Sequence, residues 1–239
     1  LYIRTDVTSE QAVAQAQAQI IERFGRSPSY VVSCAGVAPA GALLTSPVKM
    51  FTRAFDINAA ANVVLAQAFL PAMISNNHGH FMTVASSASY FSLPNLCAYA
   101  MSKTAALAFL ESLRAELRAV YKACRVRTSV VTPTKVRTVL AEGLNEGDDD
   151  FLMPVLEPIQ VARAMADTLN SGLSRNISLP LGSALLPYLR ALPEWYRGAL
   201  RAMGNTDALV TPESISRGQQ ALRGHQSNLD HMKKLGVHS

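Results

Sequence analysis

Residues 80–106 read HFMTVASSASYFSLPNLCAYAMSKTAA and indicate the fold most strongly. His80 to Ala85 is a short apolar run, which predicts a buried β-strand. From Cys97 to Tyr121 apolar residues recur at helical spacing, which predicts a helix with one broad buried face. That face comprises Ala105, Ala106, Phe109, Leu110, Leu113 and Leu117.

The rest of the chain continues this alternation of strands and helices. Further strands are predicted at Leu1–Thr5, Ser29–Cys34, Val126–Val131 and Asn176–Leu179. Further helices are predicted at Thr8–Phe24, at Pro47–Ile74 with a break near Asn58, and at Val161–Leu169 after Pro158. Such an alternation implies right-handed βαβ crossovers, a parallel sheet and the α/β fold class.

The first of these helices has recognisable end signals. Thr8 is the predicted N-cap with Gln11 as its capping-box partner, and Gly25 is the predicted C-terminal stop.

Composition restricts the function classes. The 239 residues are 49% hydrophobic and 16% charged, enough to bury one sizeable core. A net charge of +5 without a dense basic cluster disfavours nucleic-acid binding. Three widely spaced cysteines, Cys34, Cys97 and Cys124, favour reduced thiols in a cytosol-facing protein over a disulfide or zinc framework.

Two features concern the membrane and the ends of the chain. No uninterrupted apolar run reaches the roughly 18 to 20 residues that span a bilayer. The chain begins with Leu1 inside an apolar stretch, which predicts that a preceding segment was removed or not included.

Asp148, Asp149 and Asp150 form the densest acidic run. We expect a solvated loop there rather than a metal site, and no metal is predicted.

Tyr99 and Lys103 carry the candidate chemistry. Four residues apart on a helix, they project from nearly one face. A nearby cation lowers the pKa of a phenol towards the range of a useful base. Ser86 ends the preceding strand, and its hydroxyl can hydrogen-bond the substrate oxygen with which Tyr99 exchanges a proton. A half-buried tyrosine beside a surface lysine is the structural alternative.

The stretches Thr83–Tyr90 and Tyr99–Ala106 closely resemble the active-site region of the short-chain dehydrogenase/reductase family. The C-terminal part of the chain resembles, more weakly, the retinol and 17-beta-hydroxysteroid dehydrogenase branch. The resemblance covers about residues 1 to 180. It implies a Rossmann-like, three-layer αβα parallel sheet and an NADP or NAD cofactor. It also implies that Asn58 completes a Ser-Tyr-Lys-Asn tetrad.

The resemblance extends to residues that would contact the cofactor. Asp6 and Val7 match the segment at the adenine, and Ala35 and Gly36 match the end of the Asn-Asn-Ala-Gly strand. Pro133, Val136 and Thr138 match the turn over the nicotinamide, while Tyr99 and Lys103 serve both cofactor and chemistry.

Several positions depart from the family pattern. Ser33 and Cys34 stand where the family has asparagines, and Thr134 replaces a glycine. This chain does not contain the Gly-rich turn that receives the pyrophosphate. By family order, we expect the first strand, first helix and second strand to be absent, which leaves a sheet edge open.

The chain is accordingly divided into an incomplete dinucleotide-binding domain, residues 1–180, and a C-terminal arm, residues 181–239. In the arm, Leu185, Leu189, Leu192 and Trp195 with Arg190, Arg197 and Arg201 can form an amphipathic surface at a lipid interface. A cover for the substrate pocket or a dimer surface is the alternative.

These observations predict an NAD(P)-dependent oxidoreductase that interconverts a lipophilic alcohol and its carbonyl. The expected location is cytoplasmic, at the endoplasmic reticulum or lipid-droplet surface. A homodimer built on the helices around Asn62–Leu70 and Ala105–Leu117 is implied by the resemblance. The competing hypothesis is a non-catalytic fragment or scaffold that cannot bind cofactor. Because the Gly-rich turn is missing from these 239 residues, we expect them to bind NADPH weakly or not at all.

Overall fold

The computed structural model describes residues 1–141, 154–203 and 210–216. In these ranges four strands, β1 (Tyr30–Ser33), β2 (Gly79–Val84), β3 (Val126–Pro133) and β4 (Asn176–Leu179), form one parallel sheet in the order β1-β2-β3-β4. The predicted α/β class with a parallel, Rossmann-like sheet is confirmed.

Helices connect and flank the strands. They are α1 (Glu10–Phe24), α2 (Val48–Phe55), α3 (Ala61–Ser75), α4 (Cys97–Ala119), α5 (Pro158–Ser171), α6 (Leu186–Leu189) and α7 (Glu194–Met203). A π-helical turn, Asp56–Ala60, joins α2 to α3 at the position of the predicted break. Short 3₁₀ turns occur at Ser87–Ser89, Val139–Ala141 and Leu181–Leu185.

The two faces of the sheet are covered by different helices. Phe81 and Val130 point into a core formed with α1, α3 and α4. Their neighbours Met82 and Val131 point to the other face and pack with Val161 of α5. Helices therefore lie on both faces, as a three-layer arrangement requires.

The hand of the connections differs along the chain. The strands advance in one direction across the sheet, yet α5 lies on the face opposite to α3 and α4. The β3–α5–β4 connection consequently has the opposite hand to the two before it. The prediction of right-handed crossovers throughout is wrong for this reason.

The start of the chain also corrects the sequence prediction. Leu1–Thr5 is not a strand, and Leu1 and Tyr2 are exposed, because strand formers need a neighbouring strand to pair with. Helix α1 is capped by Ser9, whose hydroxyl accepts from the Ala12 N–H, and not by Thr8. The Thr8 hydroxyl instead donates to Asp6. Gly25, with φ 70°, ends α1 as predicted.

The helical stretch Val48–Ser75 is the one candidate membrane span in the described ranges, by length and composition. Core helices of soluble proteins share these properties, and the α3 part packs against the sheet through Phe69, Leu70 and Met73.

Candidate active site

The site lies where β2 ends and α4 begins, at the carboxyl edge of the parallel sheet, where ligands bind in open α/β folds. Ser86 follows this strand and N-caps the 3₁₀ turn Ser87–Ser89, its hydroxyl accepting from the Ala88 N–H at 3.1 Å. The cap fixes Ser86 in an extended backbone conformation and buries its side chain.

Tyr99 lies in the first turns of α4, with its hydroxyl close enough to the Ser86 side chain to interact with it. Burial raises the pKa of the Tyr99 phenol above its ordinary value, and the interaction with Ser86 lowers it by less. The sequence-based expectation of a lowered pKa is therefore wrong, because desolvation outweighs the other contributions. The phenol stays protonated near neutral pH.

Lys103 is one turn further along α4 and only 4% exposed. Its ammonium donates to the carbonyl of Val84 at 2.8 Å and lies 6.0 Å from the centre of the Tyr99 ring. Burial lowers the pKa of Lys103 to about 8, partly opposed by the charge of Cys34. A cation held in this way titrates close to physiological pH.

Asn58 sits in the π-helical turn with 1% of its surface exposed. Its side chain donates to the Val37 carbonyl and accepts from the Val37 N–H, both at 2.8 Å. The same amide donates to the Ser102 hydroxyl at 2.8 Å, and that hydroxyl donates to the backbone carbonyl of Tyr99. Asn58 therefore links the loop after β1 to α4.

The backbone of Gly36 packs closely against the side chains of Asn58 and Lys103. A Cβ at this position would lie 3.1 Å from Asn58 Oδ1 and 3.4 Å from Lys103 Nζ. The structure thus brings Gly36, Asn58, Lys103, Tyr99 and Ser86 into one contiguous cluster. Ala35, next to Gly36, is exposed.

The other predicted cofactor residues follow neighbouring strand ends. Pro133 is buried at the end of β3, paired in register with Leu179. Val136 forms an isolated bridge with Leu156, and Thr138, which is exposed, hydrogen-bonds to the Val136 carbonyl. These residues share the carboxyl edge of the sheet with the cluster.

Asp6 and Val7 belong to the turn before α1. The Asp6 carboxylate accepts from the N–H and hydroxyl of Thr8, and these bonds lower the pKa of Asp6. The contacts are those of a helix-entry turn, and none of them joins this turn to the cluster around Tyr99. A role at the adenine stays a prediction.

Two residues of the site escaped the sequence analysis. Ser102 joins Asn58 to Tyr99, and its position immediately before Lys103 on the same helix was the available signal. Val37 takes part through its backbone alone, which no residue type could reveal.

Within the described ranges, no group of three or more His, Cys, Asp or Glu is placed to hold a metal ion. The acidic run Asp148–Asp150 lies outside those ranges.

Comparison with known proteins identifies the family. The profile described as short chain dehydrogenase matches residues 1–149. The chain belongs to the short-chain dehydrogenase family. It thereby belongs to a family of oxidoreductases whose cofactor is NAD or NADP.

Named relatives place this short-chain dehydrogenase in the predicted branch. It is 34% identical to rat (Rattus norvegicus) estradiol 17-beta-dehydrogenase 11 over 209 residues, 86% of this chain and 67% of that protein. It is 32% identical to mouse (Mus musculus) epidermal retinol dehydrogenase 2 over 164 residues, 69% of this chain and 52% of that protein. Dehydrogenase RED3 of Cochliobolus heterostrophus is 40% identical over 128 residues, 54% of this chain and 65% of that protein. The chain thus spans about half to two thirds of these relatives.

Solved structures agree on the fold. A putative gluconate dehydrogenase from Agrobacterium tumefaciens superposes with a TM-score of 0.66 at 18% identity, covering 77% of this chain and 75% of that one. An alcohol dehydrogenase from Thermococcus sibiricus, complexed with 5-hydroxy-NADP, has a TM-score of 0.62 at 21% identity, covering 73% and 72%.

Proposed function

We propose that this chain carries the catalytic site of an NAD(P)-dependent oxidoreductase that interconverts a lipophilic alcohol and its carbonyl. The observation that carries the proposal is the grouping of three side chains: the Lys103 ammonium lies 6.0 Å from the centre of the Tyr99 ring, and the Ser86 side chain is close enough to the Tyr99 hydroxyl to lower its pKa. Two hydroxyls this close together can share a single substrate oxygen.

The residues at the sheet edge fit a nicotinamide. Glycine at position 36 leaves open the space beside Asn58 and Lys103 that a Cβ would fill. The Thr134 hydroxyl, just after Pro133, is buried without a hydrogen-bond partner, so it has an unused donor for a polar ligand group. We assign Lys103 and Gly36 to the nicotinamide ribose side, and Pro133, Val136 and Thr138 to the nicotinamide ring. Asp6 and Val7 are assigned to the adenine end.

When bound, the nicotinamide accepts or supplies the hydride, and the protein must handle the proton. In carbonyl reduction the Tyr99 hydroxyl donates its proton to the substrate oxygen as that oxygen gains charge. The raised pKa keeps Tyr99 in the protonated form that this direction requires. Ser86 holds the same oxygen by a hydrogen bond, and Asn58 fixes the wall of the cleft through Val37.

A lipophilic substrate class is supported by the named relatives and by the exposed apolar surface of the arm. The estradiol and retinol dehydrogenases carry the names of a steroid and a retinoid. In the arm, Leu185, Tyr188 and Trp195 are each at least two thirds exposed. We therefore propose a retinoid-, steroid- or lipid-like alcohol.

The decisive experiment is turnover by the protein in its full natural length. Panels of retinoids and steroids are supplied with NADPH, NADH or the oxidised forms, and Tyr99→Phe is compared with Tyr121→Phe, an exposed tyrosine beyond the end of α4. We expect Tyr99→Phe to lose at least about a hundredfold in kcat, the usual contribution of a positioned proton donor, and Tyr121→Phe to match wild type. Equal activity of Tyr99→Phe and wild type would reject the site.

The competing function, a scaffold without catalysis, draws on Ser33, Cys34 and Thr134, which depart from the family pattern. Calorimetric titration with NADPH separates the two. Full-length protein that binds no NADPH would support the scaffold, whereas saturable binding supports the enzyme.

The arm, residues 181–239, is further proposed to contact a lipid surface at the endoplasmic reticulum or lipid droplets. Trp195 and Met203 of α7 expose most of their surfaces, while Arg197 and Arg201 on the same helix both pair with Glu194. Such a helix resembles an interfacial one.

Flotation with vesicles containing anionic lipid tests this contact. Wild type is expected to float in a salt-sensitive manner, and Trp195→Ser to float less. Tyr2→Ser, which removes an equally exposed aromatic ring elsewhere, is the control. A wild type that stays entirely in the soluble fraction would contradict the contact.

A homodimer through α3 and α4 is also proposed. Val63 on α3 and Met101 on α4 are apolar side chains with 41% and 51% of their surfaces exposed. Light scattering should give twice the chain mass for wild type and a smaller mass for Met101→Lys. A monomeric wild type would reject the dimer.

A further inference from the structure

Asn95, four residues before Tyr99 in the sequence, is bonded to two distant parts of the chain, at Gly41 and at Val210. Its backbone carbonyl accepts from the Gly41 N–H at 2.8 Å, in the loop after β1. Its side-chain amide donates to the Val210 carbonyl at 2.8 Å, in the C-terminal segment. Its φ of 61° lies in the left-handed region, which asparagine tolerates better than most residues.

The C-terminal partner is an ordered part of the molecule. Val210 is 2% exposed, and Ser214, which follows it, is fully buried. The Ser214 hydroxyl accepts from the Thr211 N–H and donates to the Thr211 carbonyl, so this short segment is closed on itself. The Asn95 side chain is therefore bonded to a carbonyl whose segment is fixed by its own burial and hydrogen bonds.

A second contact ties the C-terminal region to the same loop. The Arg201 guanidinium of α7 lies 5.1 Å from the centre of the Phe91 ring. Phe91 and Asn95 both belong to the connection between Ser86 and α4. This connection is consequently held at two points by residues that are more than a hundred positions away in sequence.

One partner of Asn95 comes from the loop that also carries Gly36. Gly41 and Gly36 both lie in the loop after β1, where Gly36 packs beside Asn58 and Lys103. Asn95 thus joins this loop to the first turn of α4, where the Leu96 side chain is buried and Tyr99 follows. The loop after β1 and the residues around Val210 are therefore both bonded to the chain four residues before Tyr99.

We propose that Asn95 is a positioning residue that holds the entrance to the active site by tying the loop after β1 and the C-terminal segment to the start of α4. The inference rests on the proposed function, since it concerns entry of that lipophilic substrate. Asn95 touches no reacting atom in this scheme. Its effect is on substrate binding rather than on the proton transfer by Tyr99.

The test is Asn95→Gly in the full-length protein. Glycine adopts the same positive φ without cost, so the variant loses the amide and little else. We expect KM for the substrate to rise about fivefold, the effect of one lost hydrogen bond, while kcat changes less than about twofold. The pH profile of kcat should be unchanged. Asn95→Asp, which keeps the shape but cannot donate to Val210, should behave like Asn95→Gly.

Asn77→Gly is the matched control. Asn77 also has a positive φ, of 43°, and its side chain accepts one hydrogen bond, from the Arg125 N–H, at the amino end of β2. Both glycine variants should lose similar thermal stability, and only Asn95→Gly should raise KM. Equal KM values for Asn95→Gly and wild type, or an equal rise in Asn77→Gly, would overturn the inference.

Amide hydrogen exchange provides a readout that does not need turnover. Asn95→Gly should exchange faster at Gly41 and in residues 210–216, and unchanged rates there would overturn the inference. Absence of turnover in wild type would instead count against the proposed function. The two failures are therefore distinguishable.

Discussion

Asn58 and Val37 form a reciprocal pair, in which one side-chain amide satisfies both the N–H and the carbonyl of one backbone residue at 2.8 Å each. The pair connects the π-helical turn to the loop that follows β1. Because Asn58 is buried, its amide depends on these partners rather than on water for its hydrogen bonds.

Asn58→Ala is predicted to lower the free energy of unfolding by about 3 kcal/mol, since three hydrogen bonds of about 1 kcal/mol each are lost. Urea denaturation measures this loss. Gln67→Ala, at an exposed position of α3, should stay within about 0.5 kcal/mol of wild type. Equal urea midpoints for Asn58→Ala and wild type would show that the pair contributes nothing.

Lys103 predicts a pH dependence of stability on the alkaline side. Its pKa is about 8 in the folded protein and about 10.4 in an unfolded chain. Between these values the unfolded state binds the extra proton, so the stability should rise with pH, by at most about 1.4 kcal/mol per pH unit. Denaturation curves between pH 8 and 10 should show this slope in wild type and a flatter one in Lys103→Met. Lys49→Met, at an exposed position, should keep the wild-type slope. If the free energy of unfolding of Lys103→Met rose with pH as steeply as that of wild type, groups other than Lys103 would be responsible for the slope.

The lowered pKa of His80 predicts that the stability of the fold depends on pH in the acidic range. Burial, and to a lesser degree Arg127, lowers the pKa of this histidine to about 4. The ring is 1% exposed, with Nε2 bonded to the Ser129 hydroxyl at 2.9 Å. Between pH 6.5 and 4 the unfolded state binds the extra proton, so stability should fall as the pH falls, by up to about 3 kcal/mol in total.

His80→Gln should lose much of this acid sensitivity, and the exposed His78→Gln should keep it. Thermal melts from pH 7 to 4 decide, and parallel curves for all three proteins would refute the assignment.

Gly36 predicts a difference between two glycine-to-alanine changes. At Gly36 the added methyl group meets Asn58 and Lys103 at 3.1 and 3.4 Å, so these side chains must shift. At Gly198, inside α7, it meets nothing within 4 Å. Gly198→Ala should stabilise the protein by up to about 1 kcal/mol through helix propensity. Gly36→Ala should instead be less stable by about 1 to 3 kcal/mol, the usual cost of overpacking, and in the full-length protein it should weaken NADPH binding. Melting temperatures and titration test both changes, and a Gly36→Ala protein that matched Gly198→Ala would contradict the close packing.

Periodicity predicted most of the elements because burial on one face leaves a regular signal. The stripe on α4 is an example: Ala106, Leu110, Leu113 and Leu117 are all buried. The same reasoning wrongly predicted a strand at Leu1–Thr5, since strand-forming residues adopt a strand only where a partner strand lies beside them. The hand of the β3–α5–β4 connection could not be predicted from the sequence either, because the whole sheet decides on which face a helix packs.

At the candidate site, helical spacing placed Tyr99 and Lys103 together, and the strand end placed Ser86 near them. The pKa of Tyr99 went the other way from the prediction, because spacing reveals a neighbouring charge and not the depth of burial. Ser102 and Asn95 were missed for a similar reason. Their partners, Asn58 and Val210, are distant in sequence, and only the folded chain brings them together.

The π-helical turn Asp56–Ala60 contains one residue more than regular α-helical winding would use over the same rise. Because the turn itself takes up the extra residue, deleting one of the five would restore regular winding and leave the face of α3 nearly unchanged relative to α2. The packing of α3 on the sheet therefore does not need the π turn. What the extra residue provides is local: it widens the backbone where Asn58 sends its side chain to Val37 and Ser102. A deletion here should thus disturb the candidate site before it disturbs the core.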